Sequence, residues 1–374
     1  MPPSLPPSLS MPPLTLSGRG STAKLVAEAR RFGDRGLVVL CRSLLRSGAA
    51  DRLALCAAGD RVRIHPHEGG EPTLAQLGRV LDAARGLRPD WVLAIGGGSV
   101  LDLAKAAAGL LDAPLDPEAY HDGADLPPSR VPFLAAPATA GTGSEATTVS
   151  VLTNTRTGVK KSIRHPSHMA RAVALDADWL ASCPPAVLAA AGMDAFVQAV
   201  ESYLSRYATA VTRAWSLEAA RLVAANLGRA CGRGGPEGPV ADALLEGSYL
   251  AGLALSNARL GLVHGLAHPL GARYHVAHGV CCAVCLPAVL AFNRDTAAAA
   301  YRDLGGVIGA DLETFSATLL RELGLTSPFA GRPLADEAGI VAETLASGST
   351  GANPRPVSAT DVRHVLGCVF APPG

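Results

Sequence analysis

A chain of 374 residues that is 48% hydrophobic and 17% charged is long enough for two domains of about 150 residues each, and too apolar to be disordered over most of its length. Its 33 basic and 32 acidic residues leave a net charge of +1, which removes the electrostatic case for nucleic acid or an anionic membrane as a partner. Aromatic residues make up only 4%, so the core must be built from small aliphatic side chains, which suits close helix–sheet packing.

The opening "MPPSLPPSLSMPPLTLSG" has no basic stretch followed by an apolar one. It is therefore not read as a signal peptide, and its prolines predict a disordered tail over residues 1–17. Residues 18–183 alternate between two textures. An amphipathic stretch near 22–32 precedes the β-rich "GLVVLC" (36–41), and further strands are predicted at "WVLAI" (91–95), "VPFLAAPAT" (131–139) and "RAVALD" (171–176). Helices are predicted between them, at 74–86 and 99–111. This alternation predicts an α/β domain with a mostly parallel sheet.

From Pro184 the text turns helical, which predicts an all-α C-terminal domain over 184–374 with its boundary at "SCPP" (182–185). Helices are expected at 185–206, 209–228, 239–258, 261–271, 279–292, 295–307, 311–324 and 359–369. "GRGGPEG" (232–238) and "SGSTGANPRP" (347–356) read as loops. No run reaches the roughly 18 apolar residues of a membrane helix. The eight cysteines are scattered through a long chain, which argues for a reducing compartment and a cytoplasmic protein. Cys282 and Cys285 form a C-x-x-C without a second pair, and in the apolar "CCAVCLPAVLAF" they read as buried thiols packing as small hydrophobes.

Three stretches carry chemistry. In "WVLAIGGGSVLDLAKAAAGLL" (91–111), a strand, a glycine turn and a helix follow one another. Gly96, Gly97 and Gly98 let backbone approach a ligand closely, and the helix start at Ser99 presents unpaired amides and a positive dipole end, so the turn is a ready phosphate site. Ser99 adds a hydroxyl, and Asp102 either caps amides or meets a ribose or a nicotinamide amide. The turn is not the G-x-G-x-x-G fingerprint. The second stretch, "PATAGTGSEAT" (137–147), offers Thr139, Thr142 and Ser144 beside Gly141 and Gly143, at the carboxyl edge of a strand where open α/β folds bind ligands. The third, "GLVHGLAHPLGARYHVAHG" (261–279), holds four histidines. His264 and His268 share one helix face, His275 and His278 follow a break, and such a cluster is a metal or catalytic constellation.

With "GMDAFVQAVESYLS" (192–205) and "STGANPRP" (349–356), these motifs resemble the iron-dependent, group III alcohol dehydrogenase family in order and spacing from about residue 18 onward. The resemblance implies a fold similar to that of dehydroquinate synthase, with an α/β NAD(P)-binding domain, a helical metal-binding domain and a cleft between them. It implies that Gly96, Gly97, Gly98 and Ser99 hold the cofactor diphosphate, and that Thr139, Thr142 and Lys160, in "GVKKS", also contact the cofactor. It further implies a divalent metal, Fe or Zn, on Asp194, His264 and His278, with His268 facing the nicotinamide; His268 and His278 are the candidate catalytic residues. Where the family carries a fourth ligand, a histidine, this chain has Gln198, a poor ligand for a transition metal, so the site is expected to be weakened.

The implied activity is NAD(P)-dependent oxidation of a small alcohol or reduction of a small aldehyde, by an enzyme expected to be a homodimer. The alternatives are a metal-free reductase in which His268, His278 or the Gln198 amide donates to the substrate oxygen, and a non-catalytic cofactor-binding relative. A lyase resembling dehydroquinate synthase ranks below these, since that family lacks the "GLVHGLAHPLG" run. Family members often end an early strand in an Asp that binds the adenosine ribose; here that position is Cys41, followed by Arg42, which favours acceptance of NADPH. Arg273 and His275 are either contacts for an anionic substrate or solvated loop residues.

Overall fold

The computed structural model describes residues 3–232 and 234–372, without the side chains of 56–58. The chain divides into two compact units, residues 10–183 and residues 184–374 together with 1–9.

The first unit is built on a six-stranded sheet in which every pairing is parallel. Its strands are β1 (Thr15–Ser17), β2 (Gly36–Cys41), β3 (Val62–His67), β4 (Trp91–Gly96), β5 (Phe133–Pro137) and, after a separate antiparallel hairpin of β6 (Val149–Asn154) and β7 (Val159–Arg164), β8 (Ala172–Leu175). The spatial order is β1-β8-β5-β4-β2-β3. The central strands are almost unbroken runs of buried aliphatics, as a parallel sheet covered on both faces requires. Size is matched across the sheet: Gly36 pairs with Trp91, and a Cβ at Gly36 would fall 2.0 Å from the Trp91 ring. The helices of this unit are α1 (Ser21–Ala29), α2 (Arg42–Arg46), α3 (Ala49–Arg52), α4 (Leu74–Leu87), α5 (Gly98–Leu110) and α6 (Pro117–Asp122).

The strand order reverses between β2 and β4. From β2 the chain moves outward to β3, and from β4 it moves the other way to β5. Open α/β sheets bind ligands outside the carboxyl ends at such a reversal. The glycine turn after β4 and the Cys41–Arg42 junction after β2 both lie there.

The second unit is helical: α7 (Pro185–Leu204), α8 (Ala210–Cys231), α9 (Gly238–Ala258), α10 (Leu262–Tyr274), α11 (His278–Ile308), α12 (Leu312–Glu322), α13 (Glu337–Ala346) and α14 (Ala359–Phe370). No strand occurs in it among the described residues.

Four expectations need correction. The tail predicted over 1–17 contains β1: past the last proline of the segment, Thr15–Ser17 pairs with β8, and Leu14 O accepts from Val173 N at 2.9 Å; Met1 and Pro2 lie outside the described residues. The helices expected at 279–292 and 295–307 are one helix, because Asn293, Arg294 and Asp295 interrupt the apolar pattern without breaking the backbone. By length and composition that helix could cross a membrane, contrary to the reading that no stretch is apolar enough; 56% of its most apolar window is buried within the protein, the pattern of a core helix. The strand β3, the hairpin and α13 were not expected: "VRIHPH" and "VKKSIR" carry charged or proline-interrupted edge patterns rather than apolar runs. Seven cysteines have described side chains, and none of these is in a disulfide; that of Cys56 lies outside the described residues.

His168 is buried with neither ring nitrogen hydrogen-bonded, and a Cβ at Gly109 would fall 2.0 Å from its Nε2. Burial, helped by Lys105, depresses its pKa from 6.5 to about 3. Above pH 6.5 neither native nor unfolded chain carries this proton; below it only the unfolded chain does, so stability falls as pH drops from 6.5 toward about 3. The slope of melting temperature against pH in that window should be shallower in His168→Leu than in the wild type, and equal slopes would contradict the assignment.

Candidate active site: a nucleotide turn and an Asp–His–His–Cys cluster

In the α/β unit the two small-residue loops pack on each other. A Cβ at Gly97 would lie 3.2 Å from the Thr139 side chain, and one at Gly98 would lie 2.6 Å from that of Thr142. Ala138 N donates to Gly96 O at 2.8 Å, joining the two loops where they leave the sheet. Gly97 is the N-cap of α5, and no side chain caps this helix start. Its first amides are thus left for an external acceptor, beside half-buried Ser99 and Thr139 and exposed Thr142.

Beneath the turn lies a buried polar tie. Lys105 is fully buried, and its ammonium donates to Ser144 O (2.7 Å), Ser144 Oγ (2.9 Å), Thr147 Oγ1 (3.1 Å) and Val149 O (2.7 Å). Burial lowers its pKa to about 8, against the opposing pull of Asp102 and Glu145. Asp102 accepts from Ser144 Oγ at 2.5 Å and from Val151 N at 3.0 Å. It therefore caps an amide of β6 rather than its own helix start, and ties α5 to the second loop. Burial raises its pKa in spite of Lys105. Lys160, on β7, is paired with Glu71 at 2.8 Å.

The helical unit gathers the second group. Asp194 and Gln198 lie one turn apart on α7, and both are buried. His264 and His268 lie one turn apart on α10, which ends at His275 in a left-handed conformation (φ 54°). The chain turns back within three residues, and His278 opens α11. Gly279 permits the close packing of α11 on α7: a Cβ there would stand 2.2 Å from Ala190 O. The His278 ring thereby meets those of His264 (centroids 5.4 Å apart) and His268 (5.0 Å, stacked).

Asp194 Oδ1 lies 3.2 Å from His264 Nε2 and 3.7 Å from His278 Nε2. Cys282, one turn into α11, places Sγ 3.5 Å from His278 Nε2. One ligand atom from each of Asp194, His264, His278 and Cys282 lies within 4.8 Å of all the others. Burial would raise the Asp194 carboxyl, but His278 and His264 outweigh it and hold its pKa at about 2. A carboxylate oxygen, two imidazole nitrogens and a sulfur converging at this spacing fit a divalent transition metal.

On its other side, His264 Nδ1 is bonded to Glu201 Oε2 at 2.6 Å. Glu201 Oε1 accepts from Val263 N at 2.7 Å, at the start of α10. A carboxylate on Nδ1 fixes a proton there and leaves Nε2, which faces Asp194 Oδ1, as the nitrogen a metal would take. Glu201 was not singled out from the sequence, although it lies seven residues after Asp194, on the same face of α7.

One sequence expectation changes here: Cys282 is not merely a packing thiol, because it stands in the cluster. Of the two readings left open for Arg273 and His275, the solvated one is favoured: Arg273, on α10, is committed to Asp336 and Glu343, each at 2.7 Å, and His275 is exposed.

Comparison with known proteins identifies the class. Residues 12–177 match the model of the iron-containing alcohol dehydrogenase family, and residues 188–368 match the C-terminal model of the Fe-containing alcohol dehydrogenase family. The chain belongs to this family. Lactaldehyde reductase of Escherichia coli is 34% identical over 320 residues, covering 84% of this chain and 82% of that protein. A crystal structure of 1,3-propanediol oxidoreductase superposes with a TM-score of 0.88 at 27% identity, covering 97% of this chain and 99% of the other. Sulfoacetaldehyde reductase from Bifidobacterium kashiwanohense, in complex with NAD+, superposes with a TM-score of 0.89 at 25% identity, covering 97% and 98%. The protein is an NAD-dependent alcohol dehydrogenase or aldehyde reductase, an oxidoreductase acting on CH–OH groups with a divalent metal.

The packing of Gly98 on Thr142 yields a direct test. In Gly98→Ala the added methyl must push the two loops apart, so affinity for NADH, read by quenching of protein fluorescence, should fall about tenfold or more with the melting temperature little changed. Unchanged affinity would remove the turn from the cofactor site.

Proposed function

We propose that the enzyme interconverts a small aliphatic aldehyde and its alcohol, exchanging hydride with NADH or NADPH, with the metal held by Asp194, His264 and His278. The observation that carries this reading is the convergence of those three side chains, with His264 bonded to Glu201 through Nδ1. The relatives named lactaldehyde reductase, 1,3-propanediol oxidoreductase and sulfoacetaldehyde reductase support a small substrate.

Each group has a part. The amides of Gly97, Gly98 and Ser99 bind the cofactor diphosphate at the positive end of α5, with Thr139 and Thr142 as hydroxyl contacts. Lys160 exchanges Glu71 for the cofactor. When bound, the metal polarises the aldehyde oxygen, or stabilises the alkoxide in the reverse direction. His268, half-buried and stacked on His278, carries the proton gained or lost by that oxygen.

Assays of short-chain aldehydes with NADH or NADPH, before and after chelator dialysis, test this. Activity should disappear on chelation and return with added divalent metal. Full turnover of the metal-free protein would overturn the metal assignment.

Cofactor choice is read at the end of β2. Cys41 offers no carboxylate to repel a 2′-phosphate, and exposed Arg42 opens α2 beside the point where the strand order reverses. NADPH should be used with kcat/KM at least equal to that for NADH, and Cys41→Asp should shift the ratio toward NADH. A strong NADH preference that Arg42→Ala leaves untouched would contradict this.

A further inference from the structure

The proposed metal site has an unusual fourth position. The resemblance implies a histidine at Gln198, but the structure brings a different side chain to the same centre. Cys282 follows His278 by one helical turn, so both project from the first turns of α11 onto α7. Its thiol is fully buried and stands beside the Asp194 carboxylate and the His264 ring as well as His278. Cys281 and Cys285 are also buried, yet neither belongs to the group of converging ligand atoms.

The spacing suits a single ion. Metal–nitrogen and metal–oxygen bonds of about 2.0–2.1 Å and metal–sulfur bonds of about 2.3 Å place neighbouring ligand atoms of a tetrahedron about 3.3–3.7 Å apart. The edges from Asp194 Oδ1 to His264 Nε2, from Asp194 Oδ1 to His278 Nε2 and from His278 Nε2 to Cys282 Sγ are 3.2, 3.7 and 3.5 Å. These side chains could receive an ion with little movement. A thiol packed only as a small hydrophobe has no reason to face three polar ligand atoms.

We propose that Cys282 is the fourth protein ligand of the metal, taking the place that a neutral Gln198 amide fills poorly, and that the resulting Asp–His–His–Cys set favours zinc over ferrous iron. This rests on the metal reading above. Thiolate is a softer donor than an amide oxygen, and it selects zinc where carboxylate, amide and imidazole alone discriminate less. Holding the ion would require Cys282 as the thiolate, its proton given up to solvent.

Cobalt(II) serves as the probe, because thiolate ligation gives it an intense near-ultraviolet charge-transfer band that oxygen and nitrogen ligands do not. The full-length protein loaded with one equivalent of cobalt should show this band. Cys282→Ser should lose the band while retaining the visible ligand-field absorption of bound cobalt, and Cys285→Ser should keep both. Competition between zinc and ferrous iron should favour zinc in the wild type, and Cys282→Ser should narrow that preference about tenfold or more. Cobalt bound without the band overturns Cys282 as a ligand and leaves the metal site standing. Failure to bind any cobalt overturns both readings.

Discussion

The structure turns on one imidazole held from both sides. His264 Nδ1 is bonded to Glu201 at 2.6 Å, and its Nε2 lies 3.2 Å from Asp194. Both carboxylates come from α7, two turns apart, so a single rigid helix sets the tautomer and the aim of the ring. Burying two carboxylates around an imidazole is costly and does little for stability by itself. Such an arrangement persists where the orientation it enforces is used, and here it leaves Nε2 directed at the remaining ligand atoms. The backbone pays attention to the same centre: a Cβ at Gly261 would strike Glu201 Oε1 at 2.7 Å, and Gly279 lets α11 approach α7. Glu201 also meets the first amides of α10, where a negative charge is favoured by the helix dipole.

The α/β unit solves a different problem by similar means. A phosphate-binding turn must leave its amides unsatisfied by the protein, so it needs support from elsewhere. Lys105 supplies it from below, with four hydrogen-bond contacts to the segment 144–149, and Asp102 adds two more, to Ser144 and Val151. Polar groups on the inner side of α5 are fully engaged, while Ser99, Thr139 and Thr142 remain accessible on the outer side. The glycines are required by contact rather than by unusual backbone angles, since the Gly97 and Gly98 Cα atoms face Thr139 and Thr142.

Much of this was legible in the residues. The apolar strands "GLVVLC" and "WVLAIG" announce a buried parallel sheet, and the histidine run announces a site. What stayed hidden depends on packing between distant segments. Cys282 has the composition of a core residue, and only the turn at residues 275–277 and the docking of α11 on α7 carry its sulfur to Asp194. Glu201 needed the α10 start beside it before its role could be seen, although its spacing from Asp194 was a usable signal. Asp102, near the start of α5, and Lys105, in its middle, both read in sequence as polar residues of one helix, yet both turn inward because the second loop offers them partners. The edge strand β3 and β7 escaped because their charged residues mask the two-residue period, and β6 because two of its three buried positions, Ser150 and Asn154, are polar.

The tautomer of His264 tests the clamp most directly. In the zinc-loaded protein, nitrogen-15 NMR of labelled histidine should show His264 with Nδ1 protonated and its proton shifted far downfield by the Glu201 bond, while Nε2 carries no proton and reports the metal. A proton on Nε2, with Nδ1 bare, would contradict the assignment of Glu201 as the group that orients the ring and of His264 as a ligand.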